Sequence, residues 1–161
     1  MTSLNILSGG AAQGLVAELE GEFFAEAGRA IHGTYGAVGM MRDKLLAGEP
    51  CDVVILTQAL IDQLTASGHV VAGSARALGL VKTGVAVKTG EAAPKVDTPE
   101  SLKAALLAAK GIYFPDPIKA TAGIHVMNVL KKLGIDERVA DRLRPYPNGA
   151  TAMREMAGPP G

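Results

Sequence analysis

The stretch Leu4-Asn5-Ile6-Leu7-Ser8-Gly9-Gly10-Ala11-Ala12-Gln13-Gly14-Leu15-Val16-Ala17-Glu18-Leu19 constrains this chain more than any other. A short apolar segment runs into a Gly-Gly turn and then into a pattern with helical period. A buried parallel strand, a tight loop and an amphipathic helix have this form. Small residues at the loop leave the backbone N–H groups of the helix start facing an open crevice. Such a crevice suits an anion or a carboxylate.

The rest of the chain restates this plan. The first helix is predicted over Ala12 to Ala27, with Leu15, Val16, Leu19, Phe23 and Phe24 on one side and Glu18, Glu20 and Glu22 toward solvent. Gly28 ends it. Ala30 to Tyr35 reads as a second strand, Gly36-Ala37-Val38-Gly39 as a small-residue loop, and Met40 to Leu46 as a helix. A third strand follows at Asp52 to Leu56 and a helix at Ala59 to Ala66. The order β-α-β-α-β-α indicates an α/β fold with a largely parallel sheet and helices on both faces. Ligands of such sheets bind outside the carboxyl ends of the strands.

Beyond His69 the pattern changes. Ala77 to Lys88 is long and β-rich, with two glycines to bend or bulge it. Thr98 and Pro99 mark a strong helix start, with that helix running to Lys110. Gly111 to Phe114 is a strand, and Thr121-Ala122-Gly123 opens a helix whose apolar side carries Val126, Met127, Leu130 and Leu133. A short helix over Asp136 to Leu143, a loop at Pro145 to Gly149 and a helix from Ala150 to Met156 complete the prediction. Two lobes are expected, residues 1–80 and 81–161, the second partial, with a hinge near 79–84.

Composition narrows the function classes. Sixteen basic and sixteen acidic residues cancel, and no basic run offers a phosphate-neutralising surface, so nucleic acid is not an expected partner. No apolar run approaches the roughly 20 residues of a membrane span, so membrane insertion is not expected either. Cys51 is the single cysteine, read as a buried structural thiol. His32, His69 and His125 fall in different elements without metal-ligand spacing, and His32 is read as structural. No nucleophile elbow, Walker loop or dinucleotide fingerprint occurs. Neither metal nor cofactor is expected. The start Met1-Thr2-Ser3-Leu4 has no leader features, so the chain as written reads as cytoplasmic, and as periplasmic if the true start lies upstream.

In order and spacing, the Gly9-Gly10-Ala11 loop, the Gly36–Gly39 loop before Ala47-Gly48-Glu49-Pro50, the strand Asp52-Val53-Val54-Ile55, the turn Asp116-Pro117 before Thr121-Ala122-Gly123-Ile124, and Leu130-Lys131-Lys132-Leu133-Gly134 resemble the type II periplasmic binding proteins, specifically the molybdate-binding branch of ABC-transporter receptors. The resemblance implies a two-lobed fold whose cleft closes on a small anion, and an ABC-transporter permease as partner. Family members continue past the position of Gly161, so a fragment is expected.

The resemblance also implies ligand positions. The two loops that carry oxyanion-binding serines in molybdate receptors match Ala11 and Val38 here. The further contacts match Thr57, Ala122 and Gly149. With their loop neighbours, the candidate ligand-binding residues are Ser8, Gly9, Gly10, Ala11, Ala37, Val38, Gly39, Thr57, Thr121, Ala122, Asn148 and Gly149. Ser8, Thr57, Thr121 and Asn148 also read as helix-capping residues, and for Thr121 capping is the preferred reading.

Losing two hydroxyls leaves a tetrahedral oxyanion short of donors worth about 1.5–3 kcal/mol each, so a carboxylate-bearing ligand touching Val38 fits better than molybdate. Two functions stay open. One is a solute-binding protein for a small anion. The other is a cofactor-free isomerase of a polycarboxylic acid, like the aconitate isomerases related to this branch, which move a double bond by proton transfer. No catalytic residue is assigned; Tyr35, Lys119 and His32 are the titratable candidates.

Overall fold

The computed structural model describes residues 3–158. It divides into two compact units, Met1–Val81 and Lys82–Gly161. In the first, β1 (Leu4–Gly9) leads through a 3-10 turn (Gly10–Ala12) into α1 (Gln13–Ala27), followed by β2 (Ile31–Gly36), α2 (Val38–Leu46), β3 (Val53–Ile55) and α3 (Gln58–Ala66). The strands form a parallel sheet in the order β2-β1-β3. With β1 central, right-handed crossovers send α1 and α2 to opposite faces. Register follows the apolar pattern: Leu7 lies between Thr34 and Val54, and Ser8 between Tyr35 and Ile55. Below the ladder, the Asn5 backbone N–H and side-chain amide both donate to the Asp52 carboxylate, at 2.8 and 3.1 Å.

Helix α1 ends on Gly28 in the left-handed region, φ 63°, a conformation a glycine adopts without steric penalty. Its apolar stripe is only partly covered. Val16 is buried and Phe23 half-buried, whereas Leu15, Leu19 and Phe24 are exposed. The methionine pair splits likewise, with Met41 buried and Met40 exposed.

The second unit holds α4 (Pro99–Ala108), β4 (Ile112–Pro115), α5 (Thr121–Lys132), a 3-10 helix (Glu137–Arg142), β5 (Leu143–Tyr146) and α6 (Gly149–Ala157). Strands β4 and β5 pair in parallel, Ile112 beside Leu143 and Pro115 beside Tyr146. Ile112, Phe114, Leu130, Ile135 and Val139 form the core, with Val126, Met127 and Leu133 of α5 against it. On the other face of the pair, the Tyr113 and Tyr146 rings stack with centroids 6.1 Å apart. The Arg142 guanidinium donates to the Leu107 and Ala109 carbonyls at 2.7 and 3.0 Å. It thereby closes the C-terminal end of α4, where carbonyls have no helical partner.

Two predicted elements are corrected. Residues 77–88 form no strand; they are irregular and exposed except for half-buried Val87, with Leu80 96% accessible. Strand propensity is expressed through a pairing partner, and no described strand pairs with this segment. Conversely, Leu143–Tyr146, which spans the end of the expected short helix and the start of the expected loop, pairs with β4 as a strand, at a sheet edge where proline is tolerated.

Candidate functional site

In a parallel sheet joined by helices, every helix N-terminus lies at the carboxyl ends of the strands. In the first unit this brings together the Gly9-Gly10-Ala11 turn, the start of α2 at Ala37-Val38-Gly39 and the start of α3 at Thr57. These starts share one property: none of their N-cap side chains accepts a backbone hydrogen bond. The first turn of a helix has N–H groups without helical partners, and a cap normally satisfies one of them. In α2 the first intrahelical bond is from the Met41 N–H to the Ala37 carbonyl, and in α3 from the Ile61 N–H to the Thr57 carbonyl. The N–H groups of Val38, Gly39 and Met40, and of Gln58, Ala59 and Leu60, precede those bonds.

The surrounding side chains make this end small and apolar. Gly9 and Gly36 are opposite each other at the last rung of β1 and β2. A Cβ on Gly9 would stand 2.8 Å from Val38 Cγ1, and one on Gly36 would stand 3.1 Å from Met41 Cε. Val38 therefore lies over Gly9 and walls the crevice with a methyl group. Gly10 and Ala11 are exposed, Ala37 and Gly39 buried, and Thr57 half-buried. Thr57 occupies the N-cap position of α3 without capping it.

Ser8 differs from the reading as a ligand contact. It is 0% accessible, and its hydroxyl donates to the Gly9 carbonyl at 2.9 Å. Strand alternation directs it to the α1 face instead of the crevice.

In the second unit, the corresponding positions are the start of α5 after β4 and the start of α6 after β5. Ala120 is the N-cap of α5 and provides no side-chain cap; Thr121 is the first helical residue, so its expected capping role does not arise. Thr121 and Ala122 are exposed. Asn148 caps α6 by accepting from the Thr151 N–H at 2.9 Å, with Gly149 next.

Two residues missing from the sequence-based site fix the α5 start. Asp116 Oδ1 accepts from the Ile118 and Lys119 N–H groups at 2.7 and 2.8 Å. The Lys119 N–H bond, then that of Ile118, holds its carboxyl below the usual value, with the Lys119 charge adding to the effect. Gly123 packs so closely that a Cβ would collide with the Pro115 and Asp116 carbonyls. The available signals were an Asp two residues before a backbone donor and a glycine in a helical first turn, where alanine is otherwise preferred.

The titratable candidates lie elsewhere. The Tyr35 ring folds back over Gly33 on the α1 face, and burial, with the Glu20 charge, pushes its phenol up. His32 is exposed instead of structural. It lines a recess of about 130 Å³ with Asn5, Leu7, Thr34, Glu49 and Pro50, at the amino end of the sheet. The Lys119 side chain is exposed. Cys51 is half-buried, not buried, and its thiol donates to the Val53 carbonyl at 3.2 Å; burial raises its pKa, which disfavours the reactive thiolate. Among the described residues no group of three His, Cys, Asp or Glu could hold a metal ion. No described helix is long and apolar enough to cross a membrane.

A family model of bacterial extracellular solute-binding proteins matches residues 4–158. The chain belongs to that family. Its fold is similar to that of the periplasmic molybdate-binding protein of Azotobacter vinelandii, with a TM-score of 0.68 at 17% identity over 96% of this chain and 67% of that one. This solute-binding family member therefore has the type II periplasmic-binding-protein α/β fold, with largely parallel sheets and helices on both faces. In sequence it is similar to an aconitate isomerase from Pseudomonas sp, 25% identical over 155 residues. That alignment covers 91% of this chain and 57% of the isomerase, so the chain spans little more than half the length of this curated relative.

Proposed function

We propose that this solute-binding protein takes a small organic anion whose carboxylate is held by the bare starts of α2 and α3 and whose carbon skeleton lies against Val38. The observation that carries this reading is the coincidence of uncapped helix starts with an apolar wall at the same strand ends. An anion satisfies the orphan N–H groups and gains from the positive ends of the helix dipoles. The Thr57 hydroxyl, unused as a cap, adds a donor. Val38 and Ala11 supply no hydroxyl for a tetrahedral oxyanion, which favours a carboxylate over molybdate. The chain would then serve as the receptor of an ABC-transporter permease, in the periplasm.

A thermal-shift series with citrate, cis- and trans-aconitate, molybdate, tungstate and sulfate tests the reading. A ligand at 100 times its Kd adds about 2.7 kcal/mol of stability. Carboxylates should raise Tm while molybdate leaves it unchanged. A rise with molybdate alone would restore the inorganic oxyanion as ligand, and no rise with any of them would remove anion binding from this chain.

The sequence similarity to an aconitate isomerase supports a second reading, isomerisation of a bound tricarboxylic acid. Proton transfer needs an acid or base within reach of the substrate carbon; in the first unit His32 lies near the start of β2, and Tyr35, next to last in β2, folds its ring back over Gly33. Incubation with cis-aconitate, followed by proton NMR, decides: appearance of the trans isomer establishes turnover.

A further inference from the structure

We infer that the chain associates with a second copy of itself, the outer face of α1 in each copy receiving the run 76–88 of the other. This association is independent of the anion-binding reading.

Every residue of α1 except Val16 and Phe23 is exposed. Successive residues turn by about 100°, so Leu15, Leu19, Glu18, Glu22 and Glu26 share an arc of about 100° beside the buried edge marked by Val16 and Phe23. Glu18, Glu22 and Glu26 are spaced four apart, a row of like charges that works against a helix standing alone. The helix contains no lysine or arginine to offset them, and the ion pairs among the described residues lie elsewhere. Two exposed leucines flanked by three carboxylates make a surface suited to an apolar, basic partner.

The chain itself carries such a partner. Between Asp62 and Glu91 no acidic residue occurs, whereas Arg76, Lys82 and Lys88 do. Among those bases stand Leu78, Leu80, Val81 and Val85, all exposed, with Leu80 and Val81 96% and 80% accessible. Residues 77–88 belong to no helix, strand or turn, so their backbone can follow a helix face without breaking a ladder. Within the first unit, which ends at Val81, both surfaces are open, so the chain's own residues 76–81 do not cover α1.

A second copy fits because one chain holds both halves of the contact. Two-fold symmetry forms the contact twice, α1 of each copy against the run of the other, and closes the assembly at two. Forming it twice raises the buried area toward the roughly 800 Å² per partner of a stable interface. Burial of the leucines and valines drives association, and the opposed charges decide which surfaces meet.

Sedimentation equilibrium of the parent chain, from micromolar to submillimolar concentration at low and at high salt, tests this. A monomer–dimer equilibrium that weakens with salt is expected, because exposed charges are screened. L80S alters a side chain that is almost wholly accessible and should weaken association at least about tenfold. E18K/E22K and R76E/K82E should each do the same, while the chain carrying all four changes should associate again, its attractions restored with the signs exchanged. Thermal melts establish that each variant is folded. A parent chain that is monomeric throughout, or that assembles beyond two, overturns the inference. So does association indifferent to L80S, or a fourfold variant as dissociated as the two that reverse one surface. A monomeric parent whose Tm falls in both L80S and L19S would place the run on α1 of its own chain and exclude the dimer.

Discussion

Helix α4 and helices α2 and α3 begin in opposite ways. At α4 every available device is used: the Ser101 N–H donates to Thr98 Oγ1, the Thr98 N–H donates to Ser101 Oγ, Pro99 opens the first turn and Glu100 faces the dipole. At α2 and α3 the N-cap residues are Ala37 and Thr57, and neither side chain accepts a hydrogen bond from the helix backbone. Both kinds of start must satisfy the same orphan donors. At α4 the chain satisfies them itself; at the carboxyl ends of β1–β3 no side chain does. On the proposed reading, those bare starts are where the ligand's carboxylate is held.

The sharpest way to break this contrast is to cap a bare start. Thr57→Asp should stabilise α3 by roughly 0.5 kcal/mol, since Asp is the better N-cap and favours the positive helix end. The same change should weaken citrate binding at least about a hundredfold, like charges in such a site costing several kcal/mol. Calorimetry beside thermal melts shows whether stability and binding move in opposite directions.

At the other end of α4, Arg142→Ala removes the cation that holds the Leu107 and Ala109 carbonyls. It should lower stability by about 1.5–3 kcal/mol, the range for hydrogen bonds to charged groups, with citrate affinity intact. Thr98→Ala should cost about 1 kcal/mol, again without effect on binding. A loss of affinity in either variant, measured at a temperature where both are folded, would dissolve the distinction between the two kinds of start.

The smallest effect concerns pH. The Asp116 carboxyl titrates below its ordinary value of 3.8, so its folded pKa lies under its unfolded one. Its contribution is present above that ordinary value and is lost as pH falls through the lower, folded pKa. Acid unfolding curves of the parent chain and D116N should converge as the pH drops below 3.8 and stay separate above it.

The contrast also explains how much of the molecule was legible from sequence. Strong local signals were readable: the Gly28 terminus of α1, the Thr98-Pro99 start of α4, the apolar side of α5. Each depends on neighbours within a turn or two. What failed depends on distant partners. Residues 77–88 have the composition of a strand but no partner, while Leu143–Tyr146 gains strand pairing from β4 despite its proline. For the site, the loops were identifiable by their small residues, but side-chain direction was not: Ser8 and Tyr35 turn to the α1 face, and Thr57 stands at a cap position without capping. Asp116 and Gly123 were visible as a turn and a helix start, yet their roles arise from backbone contacts that no residue identity specifies.

The irregular run after α3 has a further consequence. It joins two compact units and carries Arg76, Lys82, Lys88 and Lys95, all accessible. Trypsin would find its first sites there, and cleavage would leave each unit's hydrophobic interior undisturbed. The chain is thus a natural candidate for division into two separately produced polypeptides, and the stability of each after cleavage would measure how far either half depends on the other.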